Sequence, residues 1–263
     1  MREKIRLDNV IKAFRVRDVQ SGREKEFVAV NGVSFAVGEG ERVALIGATG
    51  CGKSTCLNII NGLIPVSSGR VEVDGVDPYA EFAQLKRKIA VVFQTDRLLP
   101  WRTALDNAAV GLEILGYSKQ ARQDLTREWL AKLGLESFEN RYPHELSGGM
   151  RQRVSLARAF ALDPSILVLD EAFGHLDEVT ARRLRNDFLQ LVTTIDEHKR
   201  AGTTVVFVTH NIEEAIEVGN RVIALDRPAR VLTEMRIDRE ARSDLALAKE
   251  YRQKLVATIG DVL

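Results

Sequence analysis

The sequence holds only two cysteines, Cys51 and Cys56, and only four histidines in 263 residues. The cysteines have no His or further Cys near them, and the histidines lie far apart at His144, His175, His198 and His210. Such sparse ligands exclude a zinc centre of the usual spacing and a disulfide framework, and leave the thiols as small packing residues of a reducing compartment. Charge of one sign is also missing. With 38 basic and 37 acidic residues the formal net charge is +1, so no overall field draws the protein to nucleic acid or anionic lipid. No apolar run comes near the roughly 18 residues needed to cross a bilayer; the longest, such as 203–208, suit buried strands. The opening Met1-Arg2-Glu3-Lys4 is charged and leads into alternation, which is not the pattern of a secretory signal. A role at a membrane would need another chain to cross it. No heptad run or internal duplication is present. What remains, 45% hydrophobic and 29% charged, is enough to bury the core of one large domain or of a domain with an insertion.

The chain is organised around Gly47-Ala48-Thr49-Gly50-Cys51-Gly52-Lys53-Ser54-Thr55, which fits G-x-x-x-x-G-K-[ST]. The apolar run before it reads as a buried parallel strand, and Leu57 and Ile60 after it read as a helix stopped at Gly62. Glycines let successive backbone N–H groups turn inward as a nest for phosphate oxygens, and the following helix points its positive end at the same anion. Lys53 supplies a full charge to the terminal phosphates, and Ser54 is placed to ligate a Mg²⁺ that bridges two of them.

The first forty residues alternate like antiparallel strands around a polar, charged loop over 15–26. Phe14 stands at the end of the first strand, where its ring can stack on a base or simply pack in the core. Strand signals follow at 70–75 and 89–93, with Gln94 at the end of the second. Helical periodicity then covers 104–115, 119–133 and 148–162, with Trp129, Leu130 and Leu133 on one core-facing side. Strands return at 165–169 and 203–209, ending in Asp170-Glu171 and His210. Between them 178–200 reads as an amphipathic helix whose Arg182, Arg183 and Arg185 form a solvated face. A helix at 213–218, strands at 221–225 and 231–236 and a helix at 244–259 close the chain. Strands alternating with helices imply an open parallel sheet, in which ligands bind at the carboxyl ends of strands. Lys53 and Ser54, Gln94, Asp170 with Glu171, and His210 all occupy such ends, and are expected to converge on one nucleotide.

Asp170 can hold Mg²⁺ through water, and Glu171 would then reach a water in line with the γ-phosphate; the pair can also be read as a helix N-cap. His210 can orient that water, or be a structural residue. Phosphoryl transfer needs mainly positioning and charge neutralisation, which these groups provide. Leu146-Ser147-Gly148-Gly149-Met150-Arg151-Gln152-Arg153 places a serine and two glycines at a helix start, a second anion site. Two such sites serve one function if two copies pack head to tail, each closing the nucleotide of the other.

With this set the sequence resembles the ATP-binding-cassette family over essentially its whole length: the phosphate loop, Gln94, the Leu146–Arg153 signature, Ile166–Glu171, the Gly174-His175-Leu176-Asp177 turn and His210 occur in the family's order. The resemblance implies an α/β P-loop NTPase fold, a RecA-like core with a mostly parallel sheet, an antiparallel β-subdomain and an inserted α-helical subdomain. The matching boundaries are 1–94 and 163–236 for core and β-subdomain, 95–162 for the helical signature subdomain and 237–263 for a C-terminal helix. It implies that Phe14 stacks on adenine, that Gln94 touches Mg²⁺ and links the ATP site to the helical subdomain, and that Glu171 is the general base. His210 becomes the switch histidine and Asp177 a link between two sites. Ser147 and Gly149 would meet the γ-phosphate held by the partner.

A finer resemblance lies in Arg97-Leu98-Leu99-Pro100-Trp101-Arg102-Thr103-Ala104-Leu105-Asp106-Asn107, which is similar to ATPases of nitrate, sulfonate and taurine importers. Asn211 and Gly219-Asn220-Arg221 depart from the usual aspartate positions, and the short stretch after the sheet gives the expectation that the regulatory β-domain of sugar-importer ATPases is lacking. The implied function is an ATPase that powers solute uptake through a separate permease at the cytoplasmic face, as one of a pair of ATPase subunits, with a binding protein delivering the solute. The alternative is a soluble ATPase of the same fold driving iron–sulfur assembly. A GTPase would carry an N-K-x-D motif, which is absent.

Overall fold

A computed structural model describes residues 2–17, 24–174, 176–198, 202–242 and 244–259. The chain forms two compact units, residues 1–86 with 204–263, and residues 87–203. His175 and residues 260–263 lie outside the described residues.

The first unit begins with β1 (Glu3–Arg17) and β2 (Glu24–Gly38), antiparallel to each other. Alternation decides their faces. Ile5, Leu7 and Val10 on β1 and Val33 and Val37 on β2 are buried, while Arg6 and Asp8 point out. The loop expected over 15–26 is shorter than the sequence suggested. Pairing continues through Arg15↔Glu26 and Arg17↔Glu24, because opposite charges facing each other across an exposed hairpin support the ladder that polarity alone argued against. Residues 18–23 of that stretch are outside the described residues. β3 (Arg42–Ile46) follows, with Val43, Ala44, Leu45 and Ile46 all fully buried, the continuous apolar run of a strand covered on both faces. After it come α1 (Lys53–Ile60) and β4 (Ser68–Val73), the latter antiparallel to β1.

The second unit starts with β5 (Ile89–Val92). Its helices are α2 (Ala104–Ala108), α3 (Val110–Ile114), α4 (Lys119–Lys132) and α5 (Gly148–Phe160), followed by β6 (Ile166–Asp170), parallel to β5, and α6 (Glu178–His198). The single helix expected over 104–115 is divided at Ala109, although the Ala109 N–H still reaches the Leu105 carbonyl at 3.0 Å. Gly111, lying against Leu162, adds no side chain to stiffen this stretch. Trp129 stacks on Phe160 with centroids 5.3 Å apart, and Phe188 and Phe173 continue the cluster. Arg182 and Arg183 are exposed as expected. Arg185 is not: it is 2% exposed and pairs with Glu178 at 2.9 Å. It falls one turn after buried Ala181 and beside Leu184 and Phe188, so it shares the covered side of α6.

The chain then re-enters the first unit with β7 (Thr204–Thr209), α7 (Ile212–Val218), β8 (Arg221–Leu225), β9 (Val231–Arg236) and α8 (Leu245–Ile259). β3 runs parallel between β7 and β8, and β9 lies antiparallel on β8. Asn211 caps α7 by accepting the Glu214 N–H at 3.1 Å. α8 buries Leu255 and Ile259.

Candidate functional site

In the first unit the phosphate loop leaves the carboxyl end of β3, where Ile46 pairs with Thr209, the last residue of β7. His210 follows Thr209 and is exposed. The two adjacent parallel strands therefore bring the loop and His210 to one edge. Gly47 and Gly52 have φ values of 154° and 118°. A Cβ at Gly47 would run into the Leu225 carbonyl, and one at Gly52 would strike the Ala29 carbonyl and come 2.8 Å from Ala229 Cβ. Ala229 is itself bonded to β2 through Ala229 N to Ala29 O (3.0 Å) and Asn31 N to Ala229 O (2.8 Å). The loop is thus seated on β2 and on the turn after β8.

Lys53 is 4% exposed, and its Nζ donates to Gly47 O (2.7 Å) and Ala48 O (2.9 Å), closing the loop around a positive centre. The first residue of α1 is Lys53; Ser54 beside it is exposed. Cys51 and Cys56 are buried, and burial, then the proximity of Cys51, pushes the Cys56 thiol up to about 12. An inert packing role follows. Phe14 is half-buried on β1 opposite Phe27, with the Lys12 ammonium 5.1 Å from its ring centroid.

In the second unit the parallel pairing Val92↔Leu169 brings the ends of β5 and β6 together. Gln94 Nε2 donates to Glu171 Oε2 at 2.9 Å. Asp170 ends β6, and Glu171 adopts φ 47°, a left-handed conformation that is strained for a glutamate. Positive φ occurs at five other non-glycine positions among the described residues, and the bond from Gln94 distinguishes Glu171. The Glu171 carbonyl accepts the Gly174 N–H at 3.0 Å, so the pair is followed by a turn. The helix beyond it is capped by Asp177, whose Oδ1 accepts the Thr180 N–H at 3.0 Å. Bonds from Thr180, side chain first, hold the Asp177 carboxyl below its ordinary value.

Ser147 is exposed at the start of α5, its Oγ accepting the Met150 N–H at 3.3 Å. Gly148 has room for a side chain, whereas a Cβ on Gly149 would come 2.7 Å from Thr180 Cγ2. Close helix packing by itself therefore calls for a glycine at 149. Two buried polar residues were not singled out from the sequence. Asn107, fully buried, accepts the Leu99 N–H (2.7 Å) and donates to the carbonyls of Leu99, Arg102 and Thr103, fixing the 99–103 loop below Trp101, which is 71% exposed. Gln152, 4% exposed, donates to Phe93 O (3.1 Å) and Ala172 O (2.9 Å). A polar residue inside an apolar stripe of a helix was the available signal in both cases.

Among the described residues no group of three or more His, Cys, Asp or Glu side chains could hold a metal. Mg²⁺ bound with phosphates keeps several waters and takes only one or two protein oxygens. A hydroxyl, a carboxylate and an amide oxygen, as on Ser54, Asp170 and Gln94, fit that chemistry. Nor is any helix among them long and apolar enough to cross a membrane.

Residues 30–174 match the family described as ABC transporter. The chain is 37% identical to an uncharacterised ABC transporter ATP-binding protein of Methanocaldococcus jannaschii, over 99% of this chain and 93% of that one. It is 42% identical to the taurine import ATP-binding protein TauB of Rhizobium johnstonii, over 80% and 77%. To the glycine betaine/proline betaine transport ATP-binding protein ProV of Salmonella typhimurium it is also 42% identical, over 74% and 48%. Among solved structures, the dimeric ABC transporter cassette MJ0796 superposes with a TM-score of 0.75 at 35% identity, over 89% of this chain and 99% of that one. The same cassette in a dimeric post-hydrolysis state bound to ADP and Pi gives 0.76 at 34% identity, over the same shares. With a phosphate loop seated around Lys53 and a strained carboxylate pinned by Gln94, the chain belongs to the ABC transporter family, as one of its ATP-binding, ATP-hydrolysing cassettes.

Proposed function

We propose that this ATPase powers uptake of a small solute, an anion such as nitrate, a sulfonate or a taurine-like molecule, through a separate membrane permease. It works at the cytoplasmic face as one of two cassettes, with an external binding protein supplying the solute. The β-subdomain and core over 1–94 and 163–236 hold nucleotide, the 95–162 subdomain faces the permease, and 237–263 adds a C-terminal helix. Phe14 stacks on adenine. The amides of Gly47, Ala48, Thr49, Gly50, Cys51, Gly52 and Thr55, with Lys53, hold the phosphates. Ser54, Asp170 and Gln94 would hold Mg²⁺, which neutralises phosphate charge when bound.

In hydrolysis Glu171 takes a proton from the water whose oxygen bonds to the γ-phosphorus. The bond to the β–γ bridging oxygen breaks, leaving ADP and phosphate, and His210 orients the water or the γ-phosphate. Ser147, Gly148 and Gly149 close over the nucleotide of the partner, and Asp177 passes its state between the two sites. ATP closes the pair and hydrolysis opens it.

One observation carries this reading: the Gln94–Glu171 bond of 2.9 Å, made by a glutamate in left-handed conformation at the end of a buried strand. The import direction is supported by the likeness to TauB and by the 97–107 segment, whose Trp101 stands exposed on an Asn107-pinned loop. The relatives reported above bear transporter names, so iron–sulfur assembly has no support among them. Glu171→Gln should keep ATP binding and slow hydrolysis by about 100-fold or more, with a long-lived closed dimer; undiminished turnover removes Glu171 as the base. Reconstitution with the permease, reading ATPase stimulation by nitrate, an alkylsulfonate and a betaine, tests the solute class. Stimulation by the betaine alone would overturn it.

A further inference from the structure

We propose that Gln152 is a positioning residue for hydrolysis, the amide through which the Ser147 turn sets Glu171 and Gln94 against each other. The inference rests on the assignment of Glu171 as base. Gln152 is buried on α5, five residues after Ser147. Its Nε2 spends both protons on main-chain carbonyls, those of Phe93 and Ala172. Phe93 immediately precedes Gln94, and Ala172 immediately follows Glu171. With the Gln94–Glu171 bond this makes a closed ring: one amide spans the two segments at their backbones, and the two side chains complete the circuit. The Ala172 carbonyl held by Gln152 directly follows Glu171, so the bond restrains the backbone at the strained φ.

The neighbouring side chain extends the link outward. Arg151 Nε bonds the Asp96 carboxylate at 2.9 Å and its Nη1 bonds the Leu146 carbonyl at 2.8 Å, one residue before Ser147. The same 94–97 segment is held again by Arg158, which donates to the carbonyls of Asp96 (2.7 Å) and Arg97 (3.0 Å). A cleft of about 170 Å³ lies beside the ring, among Gln94, Asp96, Gly148, Arg151, Gln152 and Ala172. A shift of the turn at the head of α5 is therefore delivered to the carboxylate as a change of orientation. The Gln152 amide has two N–H donors, one for each carbonyl, and satisfies both without burying a charge. Methionine keeps the shape and has no donor. Glutamate presents an oxygen to each carbonyl unless it is protonated, when it regains one donor.

The test is single-turnover ATP hydrolysis by the full chain carrying Gln152→Met or Gln152→Glu, each alone and combined with Glu171→Gln. Each variant alone should leave the ATP dissociation constant within about twofold and lower the rate constant roughly 10- to 100-fold. Gln152→Glu, normalised to wild type at each pH, should recover on acidification, and Gln152→Met should not. In the Glu171→Gln background neither change should slow the residual rate further. Effects that multiply in the double variants, or single-variant rates within twofold of wild type, overturn the proposal. Should Gln152→Met fail to fold, the pH profile of Gln152→Glu decides, and a flat normalised profile counts against the ring. If Glu171→Gln turns over normally, the base assignment falls and this inference with it. If Glu171→Gln is slow while the effects multiply, only the positioning role falls.

Discussion

Replacing glycines of the phosphate loop one at a time separates backbone strain from crowding. Gly50 and Gly52 both have positive φ, 76° and 118°. A Cβ on Gly50 meets no atom within 4 Å, whereas one on Gly52 strikes the Ala29 carbonyl and lies 2.8 Å from Ala229 Cβ. Gly50→Ala therefore carries only the cost of a left-handed alanine, about 1–2 kcal/mol. Gly52→Ala adds to a comparable or larger strain, about 1–3 kcal/mol, the displacement of β2 and of the turn at Ala229. Overpacking of that kind costs about 1–3 kcal/mol, so the total is roughly 2–6 kcal/mol. At about 2–4 °C per kcal/mol for a chain of this size, Gly52→Ala should melt roughly 4–24 °C below wild type without nucleotide, and Gly50→Ala roughly 2–8 °C below it. Differential scanning calorimetry of the three proteins, with fluorescence titration of ATP, reads both effects. The displaced Lys53 should also cost Gly52→Ala its tight ATP binding. If Gly52→Ala melts no lower than Gly50→Ala, the loop is not wedged between β2 and Ala229, and the seating described above is wrong.

Asn107→Leu removes one acceptor and three donated bonds from a fully buried site. The stranded backbone groups should cost about 2–5 kcal/mol, and amide exchange at Leu99 should quicken; unchanged exchange would show the loop is held by something else. Asp177 gives a pH dependence. Its carboxyl lies below its ordinary value of 3.8 because of the Thr180 bonds, so its contribution is complete above that value and is lost as pH falls through the lower folded-state value. The gap in urea midpoint between wild type and Asp177→Ala should be open at pH 7 and close below 3.8. A gap that persists in acid would mean the ionised carboxylate is not what caps α6.

Legibility of this chain in its sequence followed the range of the interactions. The phosphate loop, the buried run of β3 and the strand ends carrying Gln94, Asp170 and His210 were readable because a glycine turn or an apolar run states its requirement locally. The charged residues at 15–17 and 24–26 misled because their cross-strand pairing is visible only once the register is known. Arg185, Asn107 and Gln152 were hidden for a related reason. A polar side chain within an apolar helix stripe hints at burial, but what it bonds is invisible until the fold is known, and these partners lie 7, up to 8 and up to 59 residues away. The left-handed φ of Glu171 had no sequence signal, since glutamate is not a residue that favours it.

The central claim is that each ATP is shared between two copies, the Ser147 turn of one meeting the nucleotide in the phosphate loop of the other. Ser147→Asp tests it while keeping a side chain able to cap Met150 N–H and placing a negative charge where the γ-phosphate should sit. In the Glu171→Gln background, sedimentation velocity with Mg-ATP should show a dimer when Ser147 is intact and a monomer with Ser147→Asp. A dimer of undiminished affinity in the Ser147→Asp protein would contradict the account.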